Sequence, residues 1–98
     1  MMRDSEVKRK LKNGETVSLV FLQSTHPGTA EAIALAGVDM IVIDNEHGAF
    51  TTEQITNTAR AVTALGKAAV VRTTVYDKNA LAHLMDTGIS GVFVTMIR

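Results

Sequence analysis

Asp39-Met40-Ile41-Val42-Ile43-Asp44-Asn45-Glu46-His47-Gly48 is the stretch on which the fold turns. Met40 to Ile43 are apolar in unbroken succession. A strand with one wet face alternates, whereas a strand covered on both faces does not. The run therefore predicts a parallel strand buried between layers. It ends abruptly in two carboxylates and an imidazole within four residues.

Working outward, Thr29 to Ala36 predicts a helix ended by Gly37. Val17-Ser18-Leu19-Val20-Phe21-Leu22 before it is rich in strand formers, and Ser24 to Gly28 forms the intervening turn. Ser5 to Asn13 reads as a short helix with Val7 and Leu11 on one face and Gly14 as its stop. Downstream, Thr51 and Gln54 have capping-box spacing ahead of an apolar stripe of Ile55, Ala59, Val62 and Leu65, closed by Gly66. Ala68 to Arg72 is a third strand. Asp77 can cap a helix carrying Leu81, Leu84 and Met85, with Gly88 at its end. Gly91 to Ile97 is a fourth strand.

Strands thus begin near residues 17, 39, 68 and 91, each separated by a helix. That alternation implies parallel strands and right-handed crossovers. Two architectures fit: an open doubly wound sheet, or a (β/α)8 TIM barrel, which needs about 250 residues. A chain that halts right after a buried-type strand leaves an apolar edge open. The expectation is therefore the N-terminal half of a TIM barrel, residues 1–98 forming one partial domain truncated after its fourth strand. On its own, such a half-barrel is expected to aggregate, pair with itself or require its missing half.

Composition narrows the function. Ten basic residues balance ten acidic ones, which argues against a nucleic-acid partner. The lysines and arginine near the start are interleaved with Asp4, Glu6 and Glu15, as on a solvated helix face. No cysteine is present, so there is neither a disulfide framework nor a thiolate metal site. No apolar run approaches the roughly 20 residues of a membrane helix, and the start lacks a signal-peptide core. A cytoplasmic chain is expected, without membrane partners.

In either architecture ligands bind at the C-terminal ends of the strands. Asp44, Glu46 and His47 follow the second strand. Asp44 at this spacing can hydrogen-bond the His47 ring, fix its tautomer and raise the basicity of its other nitrogen, making a general base. The plainer reading, equally open on spacing alone, has Asp44 and Glu46 capping the next helix and His47 as a loop residue. Arg72 closes the third strand, where an unpaired charge is costly. It could clamp a carboxylate substrate bidentately and offset developing negative charge, or bridge to Asp44 or Glu46, and the two are compatible. His26 beside Pro27 reads as a loop residue, His83 as a solvent-facing helix residue and Asp77 as a cap. Adjacent Glu46 and His47 lack the i, i+4 spacing that aligns two metal ligands on a helix.

These residues resemble the signature of the HpcH/HpaI aldolase/citrate lyase family. Ala36 to Gly48 is similar to its G-F-D-W-x-x-I-D-x-E-H run, Val70-Val71-Arg72 to its VVR strand end, and Leu84 to Val94 to its LLDxGxxGvxVP segment. The resemblance covers essentially the whole chain. It implies a TIM barrel, usually oligomeric, and a class II aldolase that cleaves or forms a C–C bond between pyruvate and an aldehyde in 2-keto-3-deoxy or 4-hydroxy-2-oxo acids. It also implies a divalent cation, Mg2+, Mn2+ or Co2+, that stabilises the pyruvate enolate. By resemblance, His47 with Asp44 is the proton-transfer dyad, Arg72 holds the pyruvate oxygens, and Glu46 stands near metal-bound waters rather than on the metal.

Three departures qualify the match. The family's two direct carboxylate ligands come from later strands, beyond Arg98, so this chain is expected to be inactive alone. Asn45 stands where Gly is often found, and Thr95 where Pro usually follows the fourth strand. Competing readings are a citryl- or malyl-CoA lyase relative, a non-catalytic fragment or pseudoenzyme, and a flavodoxin-like binding module with Asp44 as phosphoryl acceptor. The last also wants an acidic cluster after the first strand, where Gln23-Ser24-Thr25 stands.

Overall fold

Apolar residues dominate the strands of the computed structural model, which describes residues 2–46, 50–74, 82–83 and 85–94. Helix α1 spans Met2–Lys12, strand β1 Leu19–Leu22, α2 Pro27–Leu35, β2 Met40–Asp44, α3 Thr52–Ala64, β3 Ala68–Thr73 and β4 Gly91–Val94. The helix expected between β3 and β4 falls largely outside the described residues. Ala82, His83 and Met85 within it are helical.

All four strands are parallel and lie in the order β1-β2-β3-β4. That order settles the choice between the two architectures. A doubly wound sheet reverses direction at its first strand and puts helices on both faces. Here each crossover steps one strand in the same direction, and right-handed connections then leave every helix on one face. Helices α2 and α3 accordingly share one core. Leu22, Ile41, Ile43, Ala69 and Val71 from the strands pack with Ala30, Ala34, Ile55, Ala59 and Val62 from the helices, and with Phe50 and Ile89.

The opposite face is set by strand alternation and register. Phe21 pairs with Val42 and Val42 with Val70, while Asp44 pairs with Arg72 one layer higher. This face corresponds to the barrel interior. Leu19 and Phe21 on it are each 47% exposed.

Local chemistry sets the helix boundaries. The Thr51–Gln54 capping box forms in both directions, Gln54 N donating to Thr51 Oγ1 at 3.1 Å and Thr51 N to Gln54 Oε1 at 2.9 Å. Helix α2 starts two residues earlier than expected. Pro27 suits the first helical position, and the His26 side chain accepts from Gly28 N at 2.9 Å. Gly14 and Gly66, at φ +73° and +80°, close α1 and α3. In α3, Gly66 N donates to Thr63 O and Lys67 N to Val62 O, the paired bonds of a Schellman turn.

Helix α1 is fastened to the N-terminal ends of the strands. Lys10 Nζ donates to Asp39 Oδ1 at 2.7 Å, and Ser18 N donates to Asp39 Oδ2 at 3.0 Å. Lys10 is thus an exception to the solvated face expected of this helix, whereas Arg9 pairs in the open with Glu6 and Glu15. Among the described residues no helix is long and apolar enough to cross a membrane.

Candidate active site at the carboxyl ends of the strands

Asp44 and Arg72 are register partners on neighbouring parallel strands, so their side chains leave the sheet on the same face at the same height. Arg72 Nε donates to Asp44 Oδ1 at 3.1 Å and its Nη2 to Asp44 Oδ2 at 2.8 Å. This is the two-pronged fork in which a guanidinium matches a carboxylate best. Nη2 also lies 3.3 Å from Glu46 Oε1. Gln23, just beyond β1, donates from Nε2 to Asp44 Oδ2 at 3.2 Å, and Glu46 N approaches Asp44 Oδ1 at 3.5 Å. An ionised carboxylate offers about four acceptor positions. These four donors engage all of them.

Burial explains why such pairing is needed. The Asp44 side chain is 7% exposed and that of Arg72 28%. The Arg72 guanidinium beside Asp44 holds its carboxyl below the ordinary carboxylate value, against the opposing effect of burial. The same contact raises Arg72. Both groups therefore stay charged at neutral pH. The guanidinium also lies over the Phe21 ring, 4.8 Å from its centroid.

The segment between β2 and α3 is anchored at both ends. Asn45 N donates to Arg72 O at 2.9 Å, and Asn45 Oδ1 accepts from Phe50 N at 2.8 Å. Thr74 Oγ1 donates to Glu46 O at 3.3 Å. Asn45, which departs from the usual Gly, thus supplies a side-chain clasp that Gly could not.

The sequence-predicted residues divide as follows. Asp44, Glu46 and Arg72 come together, and the ion-pair reading of Arg72 holds. The Nε–Nη2 edge is spent on Asp44, so the bidentate substrate clamp expected of Arg72 would have to use another part of the guanidinium. What remains is Nη1, which has no acceptor among the described residues. His47 lies outside the described residues, as do Asp77 and Thr95. His26 is exposed and caps α2. Phe21 and Gln23 escaped the sequence reading. Their signal was strand parity, which puts them on the face of Asp44 at the same mouth.

A divalent cation is implied by the resemblance, so the fit of the local donors matters. Among the described residues no three His, Cys, Asp or Glu side chains converge. The acceptors of Asp44 are filled, and a guanidinium stands against Glu46. These residues do not form a metal coordination set.

The comparisons agree with this architecture. Residues 17–98 match the HpcH/HpaI aldolase/citrate lyase profile. A 2-keto-3-deoxy-L-rhamnonate aldolase of Klebsiella pneumoniae is 29% identical over 92% of this chain and 34% of its own length. The protein of that name from Escherichia coli K12 is 28% identical with the same coverage. Among solved structures, citrate synthase SbnG superposes with a TM-score of 0.82 at 34% identity, over 93% of this chain and 37% of that one. The HpcH/HpaI aldolase of Desulfitobacterium hafniense gives 0.78 at 29%, over 88% and 34%. This chain therefore spans about a third of the length of the curated relatives it matches. With four parallel strands in barrel order and a match over most of its residues, the chain belongs to the HpcH/HpaI aldolase/citrate lyase family.

Proposed function

We propose that the protein containing these residues is a carbon–carbon lyase of the class II aldolase type. It would cleave a 2-keto-3-deoxy or 4-hydroxy-2-oxo acid into pyruvate and an aldehyde, or run the reverse. The observation that carries this reading is the guanidinium of Arg72, oriented at the barrel mouth by Asp44 with Nη1 left without an acceptor among the described residues. In cleavage, the substrate hydroxyl gives up its proton, the C–C bond breaks, and its electron pair passes to the enolate of pyruvate. Arg72 Nη1 binds an oxygen of the 2-oxo acid and offsets that charge. His47 takes the hydroxyl proton and later returns one to the enolate carbon. Asp44 orients Arg72, and its proposed pairing with His47 requires the long 3.5 Å contact from Glu46 N to give up its acceptor position. Glu46 stands beside Arg72, near where metal-bound water would lie.

A divalent cation, Mg2+ or Mn2+, belongs to this reading as the family's cofactor. Its direct carboxylate ligands are proposed to come from later strands of the full-length protein. A soluble, cytoplasmic homo-oligomer without nucleic-acid or membrane partners completes the proposal.

The test is pyruvate release from a 2-keto-3-deoxy acid by the full-length protein, with Mg2+ or Mn2+ and after chelation. The expected result is turnover that chelation abolishes and that His47→Ala lowers by roughly 10²–10⁴-fold, the range for a general acid–base. Wild-type turnover and pyruvate proton exchange in His47→Ala would overturn the role of His47. The 98-residue chain alone should give none; robust release from it overturns the expectation of inactivity.

A second reading has one observation behind it, the 34% identity to a citrate synthase. On that reading the protein would stand nearer the citryl- or malyl-CoA lyases, with a thioester substrate. Saturable binding of coenzyme A to the full-length protein would favour it over the aldolase.

A further inference from the structure

Arg72 reaches further than its own pairings require. It leaves β3 and its guanidinium lies over a ring on β1, so the side chain is laid across β2, with neighbouring strands about 4.8 Å apart. Asp44 grips only the Nε–Nη2 edge. Two parallel hydrogen bonds along one edge define a hinge, and the guanidinium plane could still swing about it. Phe21 lies on the far side of β2 with its ring under that plane at 4.8 Å. A surface beneath the plane removes the swing, and only an aromatic face attracts the cation while doing so.

Phe21 is on the sheet face opposite the helix-packed core, the face that corresponds to the barrel interior. Its register partner Val42 lies directly beneath the Asp44–Arg72 layer. Gln23, two residues further along β1, donates to Asp44. The end of β1 therefore supports both halves of the pair: Gln23 the carboxylate, Phe21 the guanidinium.

We propose that Phe21 is a positioning residue, whose ring holds the Arg72 guanidinium flat across the strand ends so that Nη1 faces the 2-oxo acid. This rests on the substrate-binding role proposed for Arg72. Phe21 itself handles no proton. Its influence passes through the orientation of Nη1, so it acts on 2-oxo acid binding more than on the chemical step.

The experiment compares Phe21→Leu, Phe21→Trp and Arg72→Lys in the full-length protein with Mg2+ or Mn2+. KM for pyruvate and kcat are measured in the aldol-forming direction. In parallel, the 15N-resolved Arg72 Nε–H resonance reports the ring current of residue 21 without any turnover. Phe21→Leu should raise KM roughly ten-fold with kcat changed less, and should move the Nε–H resonance downfield. Phe21→Trp should keep KM within about three-fold of wild type, because the aromatic face is retained. An unchanged KM and Nε–H resonance in Phe21→Leu, with Arg72→Lys strongly impaired, would overturn the inference and leave the role of Arg72 standing. Full activity in Arg72→Lys would instead overturn that role. Should Phe21→Leu fail to fold, Phe21→Met is read by the same two measurements and the same outcomes.

Discussion

Asp44 is nearly inaccessible, accepts from Arg72, Gln23 and Glu46, and holds the orientation of the strand-end cluster. Its carboxyl titrates below its ordinary value of 3.8 in the folded chain, first because of Arg72. As pH falls, the unfolded chain therefore takes up the proton before the folded one. The stabilisation is complete above about pH 5 and drains away as pH drops through the folded-state value. Asp39, lowered by Lys10 and then Ser18 N, contributes with the same sign. Urea midpoints recorded from about pH 6 down to about pH 2.5 should decline, and Asp44→Asn should flatten part of that decline. The same variant leaves Arg72 without its fork. Arg72→Lys is not conservative either, since an ammonium cannot span both Asp44 oxygens while presenting a third nitrogen. In the full-length protein it is expected to lower kcat/KM by on the order of 10²-fold, measured by pyruvate release.

At the scale of elements, α3 is the best-specified piece of the chain. A capping box starts it, a glycine in the left-handed region ends it, and Ile55, Ala59 and Val62 bury one stripe. Thr51→Ala removes the cap acceptor for Gln54 N and should cost about 1 kcal/mol in chemical denaturation. Ile55→Ala empties a fully buried site and should cost roughly 2–5 kcal/mol. Thr58 is different. It is fully buried, and among the described residues its Oγ1 has no hydrogen-bond partner. A buried hydroxyl without a partner has lost water for nothing, so the near-isosteric Thr58→Val should be neutral or stabilising by up to about 1 kcal/mol. A loss of more than that on denaturation would mean the hydroxyl is engaged after all.

For the whole molecule, the sheet has two unlike faces. One is sealed by α2 and α3, and the other exposes Leu19 and Phe21 next to a charged rim of Asp44, Glu46 and Arg72. Strand β1 also presents an edge within the described sheet. An apolar face beside an unpaired strand edge promotes association. The 98-residue chain by itself is therefore expected to self-associate with rising concentration, and Leu19→Lys to reduce this, as read by sedimentation velocity. Concentration-independent monomers would show that the face is stable in water.

The alternation of strands and helices is written into the chain locally, because burial on both faces, capping boxes and left-handed glycines are all short-range signals. The sequence also marked Asp44, Glu46 and Arg72, because charges directly after apolar strands need partners or ligands. Helix α2 was misjudged at its start, where the side chain of His26 and the ring of Pro27 had to be read together. Strand order was beyond periodicity, which is the same in a barrel and a doubly wound sheet; the half-barrel was expected from the ending and the family resemblance, and the order β1-β2-β3-β4 with α2 and α3 on one face decides it. The ion pair of Arg72 with Asp44 or Glu46 was legible as a charge that needs a partner, but its geometry and the Phe21 contact were hidden. Register, a non-local property, sets Arg72 level with Asp44, and strand parity brings Phe21 from another strand beneath its guanidinium.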